Sequence, residues 1–396
     1  MGKNLKGKEI GKNISQRSDG RYIVRMVVDG KRECKYFRRV ADARAYVEQY
    51  EHQKKNGIDS DHPILTFKEM GEFWIKTYRK GKVKPNTLYG YEHYMGMIDE
   101  TVLNMPMYRI KQYMLQEALN KLADKGYSFS TLNSVRVVMH QIYKCAIAND
   151  FVRIDPSMGL ILPTDVSKEK KPLTTDEQAK FFEYAKECKL YNALKFALLT
   201  GMRSGEVSGA KWSDIDFERK ELKILRAMAY DKKTNIFHLT TPKTKTSIRT
   251  IPLTEEMIQI LKDREEEQKK DKLLSKKWCT NDEFSDLIFT TKNGNPLGQS
   301  AYNNAIKSVI RRINKDIMIS NQMNGTSVSD FESFSMHNLR HTFSTTCSEN
   351  GMDAKTIQAL LGHATINTTM EIYTHTNNQY LHQQMNQYGV KMVSGI

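Results

Sequence analysis

The chain has 396 residues, of which 39% are hydrophobic, and its 61 basic and 46 acidic side chains leave a net charge of +15. That length predicts two to four domains with substantial cores, and no apolar run approaches the ~18 residues of a membrane span. An N-terminus without the apolar stretch of a secretory signal, and five scattered cysteines (Cys34, Cys145, Cys188, Cys279, Cys347) without a CxxC pair, argue for a soluble protein of a reducing cytosol, against a disulfide framework and against a zinc site.

The charge is densest at the start, where residues 3–39 carry 12 basic and 4 acidic groups. Such an excess points to a polyanionic partner. Arg21 to Val28 alternates and is rich in β-branched residues, Asp29-Gly30 is a favoured two-residue turn, and Lys31 to Phe37 returns as a second strand. A period of two sets Tyr22, Val24, Met26 and Val28 on one face, with Arg21 and Arg25 on the other beside Ile23 and Val27. Ala41 to Lys55 has helical composition and can cover the apolar face. Arginines projecting from a sheet backed by a helix can enter a major groove. Turn formers at 56–63 mark a linker.

A helical region follows. Thr66 and Glu69 have the spacing of a capping box, and Phe67, Met70, Phe73, Trp74 and Tyr78 recur at helical spacing. Pro85 restarts a helix, and Met107–Lys125 and Ser130–Asn149 predict two more, broken at Gly126 and Asp155-Pro156. Lys80, Lys82 and Lys84, beside Pro85, can meet phosphates, but an exposed lysine-rich loop describes them better. A charged second linker spans 164–172, so the expected domains are 1–62, 63–165 and 166–396.

The chain has no Walker A motif, no GxGxxG after a strand, no GxSxG, no HExxH and no EF-hand loop. Its last domain instead spreads basic and phenolic residues over four stretches. Thr200-Gly201-Met202-Arg203 ends an apolar helix, with Glu206 three residues on. Thr241 to Leu253 reads as two strands around a basic turn containing Lys243 and Lys245. His337 and Arg340 sit at i and i+3, and Leu360-Leu361-Gly362-His363 precedes Tyr373 by ten residues. Individually these are a surface ion pair, a hairpin, a packed histidine and a packed tyrosine. Together they are the inventory for phosphoryl transfer to a protein nucleophile. Arginine forks match the non-bridging oxygens of a pentacoordinate phosphorane, a phenol of pKa near 10 needs a base or a positive field to attack, and a departing 5′-oxygen needs a general acid such as Lys or His.

These stretches, from 173 to 376, closely resemble the tyrosine recombinase (phage integrase) family. The resemblance implies a multidomain α+β fold: a small N-terminal three-stranded sheet plus helix, an all-α core-binding domain, and a mainly helical catalytic domain with a small antiparallel sheet. It implies that Arg203 and Arg340 clamp the phosphate, His337 assists proton transfer, His363 supports the transition state, Tyr373 is the nucleophile and Glu206 is a structural partner of Arg203. The family's placement of its lysine before the turn favours Lys243, with Lys245 on the same strand face as the alternative.

The basic N-terminal hairpin resembles the arm-binding domain of integrases from temperate phages and conjugative transposons. That implies DNA contacts from Arg17, Arg21, Arg25 and Lys35 at arm sites, with Lys82, Lys84 and the remaining chain closing a C-shaped clamp on core sites. The implied activity is site-specific recombination of a mobile element through a 3′-phosphotyrosine and a Holliday junction, needing neither metal nor cofactor. Implied partners are double-stranded DNA, further protomers up to a synaptic tetramer, and accessory DNA-bending and excision proteins, in a bacterial cytoplasm at the nucleoid, with no membrane. The tail residues Tyr380, Leu381, Met385, Tyr388, Val390 and Met392 would dock onto a neighbouring protomer. A polar stretch at 319–333 departs from the family pattern and reads as a loop or an insertion. Two other readings are a type IB-like topoisomerase, marked by DNA relaxation without sequence requirement, and a non-catalytic DNA-binding regulator, marked by full activity without the Tyr373 hydroxyl.

Overall fold

The computed structural model describes residues 2–28, 31–56, 65–164, 171–241, 245–374 and 385–386, with backbone alone at Val28, Lys31, residues 52–56, Lys245 and residues 371–374. The Asp29-Gly30 turn, most of both expected linkers, Lys243 and the tail apart from Met385 and Asn386 lie outside the described residues. Contacts divide the chain into two units, Met1–Lys168 and Glu169–Ile396.

The first unit opens with two short antiparallel strands, Gly2–Lys3 and Glu9–Gly11, then a three-stranded antiparallel sheet in which Tyr22–Val28 is central between Ile14–Gln16 and Lys31–Phe37. The first pair, only two and three residues long, is too short to show a strand period in the sequence. The helix Val40–Asn56 backs the sheet. Val24 and Met26 are buried with Ile10, Ile14, Ala43 and Val47, as alternation demands. Ile23, on the outer face, is also buried, with Ser15 and Tyr36 as its cross-strand neighbours.

A second hydrophobic core in this unit belongs to the helices Phe67–Trp74, Pro85–Gly96, Gln112–Asp124 and Phe129–Ala148, with a short helix Glu100–Leu103 between the second and third. The Thr66/Glu69 capping box forms. The Phe67–Trp74 helix runs into a π-helical turn, Ile75–Arg79, whose Arg79 guanidinium lies 4.9 Å from the Trp74 ring centre. The third helix begins at Gln112, because Met107–Arg109 is a separate 3-10 turn. Arg109 of that turn pairs with Glu48 of the Val40–Asn56 helix.

The second unit places helices Thr175–Ala185, Tyr191–Thr200 and Ser204–Gly209 before a three-stranded antiparallel sheet, with Glu221–Ile224 central between Ile215–Asp216 and Arg249–Pro252. Ala227–Asp231 and Ile236–Thr240 form a separate hairpin. The expectation of two strands around the basic turn at 241–253 is therefore corrected. Arg249–Pro252 pairs with Glu221–Ile224, far upstream, and not with the strand that ends at Thr240. Helices Glu255–Leu274, Gln299–Asn324, Met336–Glu349, Ala354–Leu361 and Ile366–Thr374 complete the unit around a core that includes Phe181, Phe196, Leu222, Tyr302, Ile306 and Leu339.

The polar stretch at 319–333 divides between two structures. Residues through Asn324 extend the long helix, and Gly325, in the left-handed region at φ 64°, ends it. The return loop is pinned by Asn321, which meets both the amide and the carbonyl of Val328, and by Asn314, which does the same for Phe331. Among the described residues no helix is long and apolar enough to cross a membrane.

Candidate active site

Gly201 caps the Tyr191–Thr200 helix at φ 63°, and a Cβ there would lie 2.4 Å from Phe343 and 2.8 Å from Leu361. Both the backbone angle and the space therefore demand glycine. The sharp exit leaves Arg203 at the start of the Ser204–Gly209 helix, where its amide and guanidinium both donate to the Glu206 carboxylate, at 3.0 and 2.8 Å. Arg203 keeps about 40% of its side chain exposed, whereas Glu206 keeps 4%. A second guanidinium nitrogen reaches the Gly362 carbonyl at 3.5 Å, and the exposed part of the side chain is accessible to an incoming anion.

Arg340 is the buried counterpart. It donates to the carbonyls of Gly201 and Leu361, each at 2.8 Å. These carbonyls end two helices, so a cation there satisfies orphan acceptors and complements two helix dipoles. Burial, with the charges of Arg203 and Arg249 adding to it, brings Arg340 down to about 9, which leaves it charged at neutral pH. His337, three residues earlier on the Met336–Glu349 helix, lies at the surface, its ring edge-on to His341 at 4.7 Å.

Gly362, also left-handed at φ 65°, turns the chain out of the Ala354–Leu361 helix toward His363. Gln358 clamps the His363 backbone from both sides, accepting from its amide and donating to its carbonyl. Burial and the nearby charges of Arg340, Arg203 and Arg249 push His363 down to about 4, so its imidazole is neutral at pH 7. Its Nδ1 lies 3.0 Å from the hydroxyl of Thr369 on the Ile366–Thr374 helix, which also carries Tyr373. The Tyr373 side chain lies outside the described residues.

Arg249 falls within the basic hairpin that the sequence suggests is exposed, yet it is central here. Its side chain is 6% exposed, and its guanidinium donates to Glu206 Oε2 at 2.9 Å, to the Ser247 carbonyl at 3.1 Å and to the Leu360 carbonyl. Burial alone would raise Glu206, but the Arg249 hydrogen bond and the charges of Arg249 and Arg203 hold it below the usual carboxylate range. No local sequence signal marks Arg249, because the need for a second arginine follows from the burial of Glu206, which only the fold reveals. Lys243 lies outside the described residues. Lys245 opens a 3-10 turn, Lys245–Ser247, that lies against Gly362, where a Cβ would approach the Thr246 carbonyl to 3.0 Å. The stretches holding Arg203, Arg249, Arg340 and His363 thus converge on one corner, and the helix of Tyr373 abuts it.

The phage integrase family matches residues 171–380, more than half the chain, and the N-terminal SAM-like domain of phage integrases matches residues 66–123. The chain belongs to the phage integrase family. This integrase-family chain is 30% identical over 349 residues to a protein of Caldanaerobacter subterraneus named tyrosine recombinase XerC-like, covering 84% of this chain and 85% of that one. It is 26% identical to the transposase from transposon Tn916 of Enterococcus faecalis, over 93% and 92% of the two chains. Among solved structures it resembles the Tn1549 transposon integrase in complex with a circular intermediate DNA, with TM-score 0.68 and 22% identity over 82% of this chain and 99% of that one. It also resembles a lambda integrase tetramer bound to a Holliday junction, with TM-score 0.53 and 20% identity over 92% and 95%. The multidomain α+β architecture is shared with these proteins. As a family member the integrase is a site-specific DNA recombinase of the tyrosine type, with DNA as its partner.

The basic residues expected to meet DNA are distributed unevenly. Arg17 and Arg21 sit over the ring of Tyr36, at 5.4 and 5.9 Å, and both pair with Asp19. Arg25 is exposed on the same outer face, where Tyr36 and Arg32 (not singled out in the sequence) also stand by register. Lys35 departs from this group. It lies opposite Val24, on the face backed by the helix, with its Nζ 4.6 Å from the Tyr46 ring centre. In the helical region Lys82 lies 5.9 Å from the Tyr78 ring centre, and Lys84 is exposed just before the Pro85–Gly96 helix.

Proposed function

We propose that the chain integrates and excises a mobile DNA element by cutting and rejoining one strand pair at a time, with Tyr373 as nucleophile. The observation that carries this reading is the convergence of Arg203, Arg340 and neutral His363 on one corner beside the helix of Tyr373. The Tyr373 oxygen attacks phosphorus while the bond to the 5′-oxygen breaks. The phenol's proton passes to His337, and the leaving oxygen takes a proton from Lys243, with Lys245 as the alternative donor. Arg203, whose donors are partly free, and Arg340, whose charge is buried, stabilise the added charge on the non-bridging oxygens. A phosphodiester is exchanged for a phosphotyrosyl ester, so the bond energy is kept and the freed hydroxyl of a partner duplex can reverse the step.

Two solved relatives are complexes, one with a circular intermediate DNA and one a tetramer on a Holliday junction, and we assign the same substrate geometry to this chain. The helical residues 63–165, through Lys82 and Lys84, and the catalytic residues 166–396 engage the crossover site. The sheet of residues 1–62 reads arm sites through Arg17, Arg21, Arg25 and Arg32, with Tyr36 among them. Assembly into a tetramer on DNA, tail docking between protomers, accessory DNA-bending and excision proteins, and a nucleoid location complete the reading.

The test compares Arg203→Ala and Arg340→Ala with wild type for cleavage and for binding of core-site duplex. Cleavage should fall by at least about 100-fold, the scale of removing a charge that stabilises a transition state, with affinity nearly unchanged. Near wild-type cleavage by either variant refutes its assignment to the clamp. Strand exchange between two duplexes, absent from a pure topoisomerase, separates the two enzymatic readings.

A further inference from the structure

We infer that Thr369 is a positioning residue for His363, fixing the imidazole in the tautomer that presents Nε2–H to the scissile phosphate. This rests on the reading of His363 as a group that touches the transition state. Two side-chain facts carry it. The Thr369 hydroxyl is fully buried and lies 3.0 Å from His363 Nδ1, its one hydrogen-bond partner among the described residues. Among the described residues His363 Nε2 has no hydrogen-bond partner, and the ring is half-buried beside Arg340 and Arg203.

A neutral imidazole carries one proton, and the partner of one nitrogen decides where it sits. A phosphate oxygen offers only lone pairs. If Nδ1 held the proton, the Nε2 lone pair would face an anionic oxygen, which is repulsive. If Thr369 donates its hydroxyl proton to Nδ1, then Nε2 carries the ring proton and becomes a hydrogen-bond donor to the transition state, with no proton leaving the ring. The buried hydroxyl keeps its bond and the imidazole keeps both of its own.

Placement gives the bond a second consequence. Thr369 is one helical turn before Tyr373 on the Ile366–Thr374 helix, so the two residues share a face. The Gln358 clamp fixes the His363 backbone to the preceding helix, and the Thr369 hydroxyl fixes its ring to the nucleophile's helix. Displacing that helix therefore also frees the ring to rotate or change tautomer.

The test uses the full chain on a nicked core-site duplex, with Thr369→Val, which keeps the shape and loses the hydroxyl, Thr369→Ser, which keeps the hydroxyl, and His363→Gln alone and combined with Thr369→Val. Thr369→Val should slow cleavage about 10- to 100-fold, as when a group orienting a histidine is removed, with DNA affinity unchanged. Thr369→Ser should restore most of the rate, and Thr369→Val should cost nothing further in the His363→Gln chain. Nitrogen-15 spectra of histidine-labelled protein should show His363 as the Nε2–H tautomer in wild type and as a mixture in Thr369→Val. An unchanged rate or tautomer in Thr369→Val, or a further loss in the double variant, overturns the inference. Wild-type cleavage by His363→Gln would instead remove the role of His363 on which it depends.

Discussion

Arg203 and Arg249 both bond the buried Glu206 carboxylate, yet they do different work. Arg203 bonds it from a half-open position, whereas Arg249 directs donors at three protein acceptors and is almost fully enclosed. That enclosure makes Arg249 the structural member of the set. Removing one partner of a buried ion pair typically costs roughly 3–5 kcal/mol. We therefore expect Arg249→Met to lower the stability of the full chain by about that amount, measured by urea unfolding, whereas Arg203→Met costs much less. Equal effects would contradict the division of labour. Glycine breaks and fixed spacings single out Arg203, Arg340 and His363 in the sequence, and the fold brings these three together. Arg249 is not singled out, because a four-residue strand with a basic first residue looks exposed until its partner Glu206 is known to be buried. Thr369 was hidden among neighbouring threonines, since only the folded turn brings it to His363.

At the scale of elements, local rules worked where the structure is local. The Thr66/Glu69 capping box and the glycine end of the Tyr191–Thr200 helix form as spacing predicts. Strand pairing is a tertiary choice, so nothing in the local pattern announces that Arg249–Pro252 joins Glu221–Ile224. The π-helical turn at Ile75–Arg79 likewise has no local signature. The position of Lys35 was within reach. A two-residue turn at 29–30 sets Val28 opposite Lys31 and therefore Val24 opposite Lys35, which puts the lysine on the helix side. The outer face of the N-terminal sheet is where we expect arm DNA. Arg25→Ala with Arg32→Ala should weaken arm-site binding and reduce its salt slope by about 2, one for each phosphate that is no longer neutralised. Lys35→Ala should leave that slope nearly unchanged. A slope that responds to Lys35 and not to the arginines would place the DNA on the other face.

Across the whole molecule, a net charge of +15 accounts for attraction to DNA in general and for no particular site. We assign the specific chemistry to one corner of the second unit, where three helix ends, a strand and a buried carboxylate hold the arginines and His363 in fixed relation. The family was legible in the sequence because the chemistry imposes residue types at fixed spacings, and 171–380 matches the family over that whole span. The DNA sequences that the chain selects were not legible, since base-edge readout follows from side-chain placement in a groove and not from composition.

The most direct measurement offers the full chain a nicked suicide duplex carrying the element end, beside Tyr373→Phe, on a denaturing gel. A covalent protein–DNA adduct is expected with wild type alone, joined through Tyr373 to a 3′-phosphate. An adduct that persists in Tyr373→Phe, or none with wild type despite a clear native-gel shift, would contradict Tyr373 as the nucleophile of a recombinase.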